Sequence, residues 1–168
     1  MKYIGLIIAF ITSIQLNGQD STNLEFLDKI NQIRLNRDLD PLVYDDELYI
    51  LAKKWCNFII KEIKVYSDSS ILAIANVDKN YFHIKANERF DNVLKRKSVV
   101  SIGENLSFLM NTKEKNNVVE VAFNGWKHSR SHYLQMVNPE KTHVAYYCCY
   151  DNVNRRYVCI SVYAKKRA

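Results

Sequence analysis

Apolar positions recur at helical spacing through the first part of this chain and at strand spacing at its end, so the pattern predicts a helical front and a β-rich close. Leu24, Leu27, Ile30 and Ile33 predict an amphipathic helix over residues 23–36. Thr22-Asn23-Leu24-Glu25 has the spacing of a capping box at its start. Pro41 excludes Asp40 from the helical region and ends that element. Asp45 and Asp46 then favour the positive end of a second helix, whose inner stripe is Leu48, Leu51, Ala52, Trp55, Ile59 and Ile63. Residues 65–82 give no clear period, and Ala86 to Lys95 again reads as helix. Val99 to Met110 is an apolar run interrupted by Gly103-Glu104. Val118, Val121, Ala122 and Gly125 predict a short helix flanked by Phe123 and Trp126. Thr142–Tyr150 and Arg155–Tyr163, separated by Asp151-Asn152-Val153-Asn154, carry the signature of a β-hairpin. Helices first and strands last predict an α+β layered fold.

The extreme N-terminus stands apart. Lys2 precedes an apolar run from Tyr3 to Ile14, and Gly18 supplies a small residue at a cleavage point. That layout predicts a signal peptide over residues 1–18 and a single mature domain over 19–168, with no integral membrane segment left after cleavage. The expected location is secreted or extracellular, or periplasmic in a bacterium. At 168 residues, with 48% apolar and 25% charged side chains, the chain suits one globular domain with its own core.

Export changes the meaning of Cys56, Cys148, Cys149 and Cys159, because an oxidising compartment permits disulfides in three connectivities. The hairpin favours Cys148 or Cys149 facing Cys159, with free buried thiols as the other reading. The net charge of +6 is concentrated in Lys95-Arg96-Lys97 and in Lys165-Lys166-Arg167. These read as solvated ends with some affinity for anionic glycans or lipid head groups. Aromatic residues do not interleave with them, which argues against nucleic acid as a partner.

The densest polar chemistry lies in Ile102-Gly103-Glu104-Asn105-Leu106 and in Trp126-Lys127-His128-Ser129-Arg130-Ser131-His132. With only two glycines after Gly18, Gly103 is expected at a tight turn or a close backbone approach. Together with Asn31-Gln32-Ile33-Arg34 and Pro41-Leu42-Val43-Tyr44-Asp45-Asp46-Glu47-Leu48, these runs resemble the CAP superfamily, also called SCP-like, and its short bacterial members above all. The family includes cysteine-rich secretory proteins, antigen 5 and plant pathogenesis-related proteins of group 1. The resemblance covers residues 24–164 and implies a three-layer α-β-α sandwich with a cleft on one side.

In eukaryotic branches that cleft holds two histidines and two acidic residues. The resemblance maps Glu104 to one acidic position, His132 to the second histidine and His83 to the first, while the second acidic position falls on Ser129. Two imidazoles beside a carboxylate suit Zn²⁺, so His83 and His132 are the expected metal ligands. His128 and His132 share the i, i+4 spacing of a helical metal pair, but no glutamate sits beside His128 and the family bends the chain there.

Two further readings compete. Glu104, Asn105 and His132 would form a buried polar network holding the sandwich together, with Glu104 accepting a His132 ring N–H. A secreted hydrolase, protease-like, would draw its catalytic groups from Glu104, His132 and Ser129 in the same cleft. Ser129 lacks the glycine pattern of a nucleophile elbow, which argues against a conventional enzyme. The expected function is therefore binding of a lipid, glycan or protein in a His/Glu-lined cleft, together with a divalent metal.

Overall fold

The computed structural model describes residues 21–63, 90–91, 93–95, 98–110 and 117–167. The proposed signal peptide, His83 and the unassigned stretch 65–82 lie outside the described residues.

The described elements are α1 (Ser21–Leu35), β1 (Val43–Tyr44), α2 (Asp46–Ile63), β2 (Val99–Met110), α3 (Val118–His128), α4 (Arg130–Met136), β3 (His143–Asp151) and β4 (Arg156–Lys166). Their sheet runs β1-β3-β4-β2. β1 pairs with β3 in parallel, and the β2–β4 and β3–β4 pairings are antiparallel. Helices cover both faces, giving the α-β-α sandwich expected from the sequence.

Strict alternation along the strands sorts the core into two halves. Val158, Ile160, Val162 and Ala164 of β4 pack with Ala145 of β3 against Leu48, Ala52, Trp55, Cys56 and Ile59 of α2. Cys159 and Tyr163 of β4, with Val144 and Tyr146 of β3, face Phe26 and Ile30 of α1, Trp126 of α3 and Met136 of α4. Phe26 is the aromatic hub of that side, stacked on Tyr146 at 4.9 Å and edge-on to Phe123 and Trp126.

The second helix and the terminal hairpin form where their sequence patterns place them. Asp45 caps α2 by accepting the Leu48 N–H at 2.9 Å. Asp151 closes the hairpin turn, accepting from the N–H groups of Val153 and Asn154 at 3.0 and 3.2 Å.

Three expectations need correction. α1 already includes Ser21, so Thr22 lies inside the helix and not at the cap position of a capping box. Its buried positions are Asn23, Phe26, Ile30 and Arg34, whereas Leu24 is exposed. In α3 the buried stripe is Val118, Val119, Ala122, Phe123 and Trp126, and Val121 faces out. In α1 the cause is polar: Asn23 and Arg34 are drawn inward by hydrogen bonds, which shifts the helix face away from the apolar period.

The cysteines supply the third correction. The disulfide joins Cys56 of α2 to Cys149 of β3. Cys148 and Cys149 alternate to opposite faces, so only Cys149 reaches the α2 layer. With a sequence separation of 93, this bond restricts the unfolded chain by about 4.6 kcal/mol in the loop-entropy description. Cys148 does lie opposite Cys159 across the hairpin, but both are free thiols.

Arg34, fully buried, fixes how α1 meets the loop after α4. Its Nε donates to the Asp40 carbonyl at 2.8 Å. Nη1 donates to the carbonyls of Met136 and Asn138 at 3.0 and 2.9 Å, and Nη2 to that of Lys141 at 3.2 Å. Burial lowers the Arg34 pKa below its ordinary value, opposed in part by the charge of Asp40. One turn earlier, the Asn31 amide both donates to and accepts from the Leu42 backbone, at 2.9 and 2.7 Å.

Replacing Arg34 with Met removes the side-chain donor from four carbonyls, those of Met136 and Lys141 in buried bonds, and is expected to cost about 3 kcal/mol. Arg34→Lys should recover only a fraction, because one ammonium cannot span the same fork. Urea denaturation of the two variants checks both statements.

Candidate functional site

The Gly103-Glu104-Asn105 run lies in β2, an outer strand of the described sheet, and His132 lies in α4, which packs against that strand. The two elements touch through two contacts that need these residue types. Asn105, completely buried, donates from Nδ2 to the His132 carbonyl at 3.1 Å. Gly103 meets Gln135, and a Cβ placed on Gly103 would lie 2.5 Å from Gln135 Oε1. Gly103 therefore serves a close approach within a strand and not a turn.

By strand alternation Glu104 takes the opposite side of β2 from Gly103 and Asn105, the side shared by Ile102 and Leu106 in the α2 core. Both Glu104 and His132 are partly buried. The hydrogen bond from the Gly-Glu-Asn run to α4 is thus made by Asn105. Glu104 sits one residue away, at the sheet edge.

A polar row missed in the sequence supports this seam. The Asn105 Nδ2 lies 3.4 Å from the Tyr163 hydroxyl, and the Ser161 hydroxyl donates to Tyr163 at 3.0 Å. All three side chains are buried. Burial above all raises the Tyr163 pKa, while the hydrogen bonds of Ser161 and Asn105 and the charge of Arg34 oppose the rise. Ser161 and Tyr163 were visible as polar groups at one parity of an apolar strand, which is the signal that finds them. Two acceptors on this seam, Asn105 Oδ1 and Gln135 Oε1, are buried with no hydrogen-bond donor among the described residues.

Ser129 forms the break between α3 and α4, with extended φ and ψ of −100° and 118°. Its hydroxyl lies 3.4 Å from that of Ser131. The same break ends the helical register between His128 and His132. His128 is exposed, with its Nδ1 2.7 Å from the Asn124 carbonyl. His143 stands at the start of β3 beside the Thr142 hydroxyl at 2.8 Å, and burial lowers its pKa.

Among the described residues, no group of three or more His, Cys, Asp or Glu side chains is arranged to hold a metal ion. Glu104 and His132 contribute one oxygen and one nitrogen donor type, and Ser129 offers a hydroxyl. The basic tail is not a free cationic patch either. Lys165 pairs with Glu140 at 3.2 Å, and Lys166 contacts both Asp45 and Glu47.

The sandwich, the Asn31/Arg34 anchor and the Gly-Glu-Asn strand against α4 define a CAP-type domain. This chain belongs to the cysteine-rich secretory protein family, CAP, whose family model matches residues 27–163. An outer surface protein of Borrelia burgdorferi shares the fold at 17% identity and a TM-score of 0.60, covering 86% of this chain and 91% of its own. An extracellular SCP-domain protein of Bacillus anthracis is 20% identical, with a TM-score of 0.54, over 86% of this chain and 40% of its own. NaASP2, solved with Zn²⁺, is 16% identical with a TM-score of 0.55, over 88% of this chain and 81% of its own. No curated protein matches the chain. No helix among the described residues is long and apolar enough to cross a membrane.

The Gly103–Gln135 contact makes a specific demand. Gly103→Ala should destabilise the protein by about 1 kcal/mol, and this cost should largely disappear in a Gln135→Ala background. A double-mutant cycle by urea denaturation reads that coupling.

Proposed function

We propose that this is a secreted CAP-domain protein that binds a lipid, glycan or protein in a cleft beside β2, with His132 of α4 on one side of that strand and Glu104 on the other. The observation that carries the reading is the Asn105 bond to the His132 carbonyl, 3.1 Å long, which holds the strand bearing Glu104 against the helix bearing His132. The buried acceptors Asn105 Oδ1 and Gln135 Oε1 add to it. A buried acceptor without a donor is costly in a folded protein, and a ligand or a water molecule entering the seam would satisfy both. The outer-surface and extracellular descriptions of two neighbours support export.

Zn²⁺ is the metal of this proposal, with His132 and His83 as its nitrogen ligands. NaASP2 with bound Zn²⁺ supports the choice. The ion would supply a positive charge to which a carboxylate, phosphate or carbonyl oxygen of the ligand binds. Within the chain, Asn105 fixes the backbone of α4 at His132, and Gly103 permits the close approach of the two elements.

Titration calorimetry of Zn²⁺ into the mature protein, residues 19–168, tests this reading with His83→Ala and His132→Ala alongside. Stoichiometric binding that is lost in both variants is expected. Binding lost only in His132→Ala would transfer the second ligand to His128 or Glu104. A folded protein that takes up no Zn²⁺ would leave Glu104, Asn105 and His132 as a structural network only.

A further inference from the structure

The Cys56–Cys149 bond leaves two thiols on the opposite face of the same hairpin. Cys148 and Cys159 are directly opposed in the β3–β4 register, and their sulfurs are 2.8 Å apart. Facing strand residues have the Cα separation that a disulfide spans, and closure needs the sulfurs to approach only to about 2.05 Å. The two differ in access: Cys148 is half-buried and Cys159 fully buried.

We propose that Cys148 and Cys159 are a redox-active dithiol that closes a second, cross-strand disulfide by exchange with an external disulfide. The half-buried Cys148, as thiolate, attacks one sulfur of the incoming disulfide RSSR. That S–S bond breaks, RS⁻ leaves and takes up a proton, and Cys148 is held as a mixed disulfide. Cys159 then loses its proton and attacks the Cys148 sulfur, displacing the second RS⁻. The protein is oxidised by two electrons, and one RSSR becomes two RSH.

The order follows from placement. Cys159 has no route to a bulky disulfide, whereas the Cys148 sulfur lies within its reach. Burial, and then the neighbouring Cys148, raise the Cys159 pKa, so it resolves the intermediate and does not initiate. The sheet separates this pair from the existing bond. Cys149 packs in the α2 core and Cys148 against the α1 and α3 core, so the thiols do not scramble Cys56–Cys149. Tyr146 packs on the Cys148 and Cys159 face, and burial foremost, with those two sulfurs, pushes its pKa up. Its phenol thus stays protonated beside the reacting sulfurs.

Incubating the purified protein with oxidised glutathione, followed by intact mass and peptide mapping, tests the proposal. The expected product has lost two hydrogens, links the Cys148 and Cys159 peptides, and keeps Cys56 linked to Cys149. Cys159→Ser is expected to accumulate a stable glutathione adduct on Cys148, and Cys148→Ser to take up none. Protein isolated with the Cys148–Cys159 link already closed, and opened by dithiothreitol before Cys56–Cys149, supports the proposal equally. Wild-type protein that keeps two alkylatable thiols after prolonged exposure overturns it. So does wild-type protein that retains glutathione on Cys148. Both wild-type readouts stand even if a variant fails to fold.

Discussion

Everything near the candidate site depends on a buried guanidinium. Arg34 gathers the carbonyls of Asp40, Met136, Asn138 and Lys141, which belong to the chain after α1 and to the end and exit of α4. A buried cation is costly unless its donors are satisfied, and here four oriented carbonyl dipoles surround it in place of water. The exit from α4 cannot drift without breaking several of these bonds together. Because α4 carries His132 and Gln135, Arg34 sets from below where the seam with β2 lies. Asn31 extends the anchor to Leu42, the residue before β1.

The sheet separates two kinds of work. Its α2 face is apolar, from Val158 through Ala164, and is tied covalently to the helix by Cys56–Cys149. Its other face carries Asn105, Ser161, Tyr163, Tyr146, Cys148 and Cys159 within an otherwise apolar layer. Polar groups beneath a helix are tolerated only when they are bonded to one another. The Asn105, Ser161 and Tyr163 contacts meet part of that demand, while Asn105 Oδ1, Gln135 Oε1 and the Tyr146 hydroxyl have no hydrogen-bond partner among the described residues.

Much of this was legible in the sequence because local physics governs it. The α2 stripe, the Asp45 cap and the Asx-rich hairpin turn are decided by residues close together in the chain, and four short runs in order carried the family. Long-range pairing was not legible. Nothing near Cys149 reveals Cys56 until strand alternation and the packing of α2 are both known. The face of α1 was misphased where Asn23 and Arg34 hid the true inward side behind polar side chains. For the site, the sequence pointed to Glu104 and His132. Asn105 was expected in a polar network with them, but its partner is the His132 backbone, and the part played by Gln135 emerges only when the fold brings it against Gly103.

The central claim is that the β2–α4 seam is where this domain receives its ligand. Amide NMR spectra of the ¹⁵N-labelled mature protein, recorded with and without Zn²⁺, test it most directly. Resonance changes concentrated at Gly103–Leu106 and Ser131–Gln135 are the expected result. Changes confined to His143 and the acidic partners of the C-terminal lysines, or an unchanged spectrum at saturating metal, would contradict it.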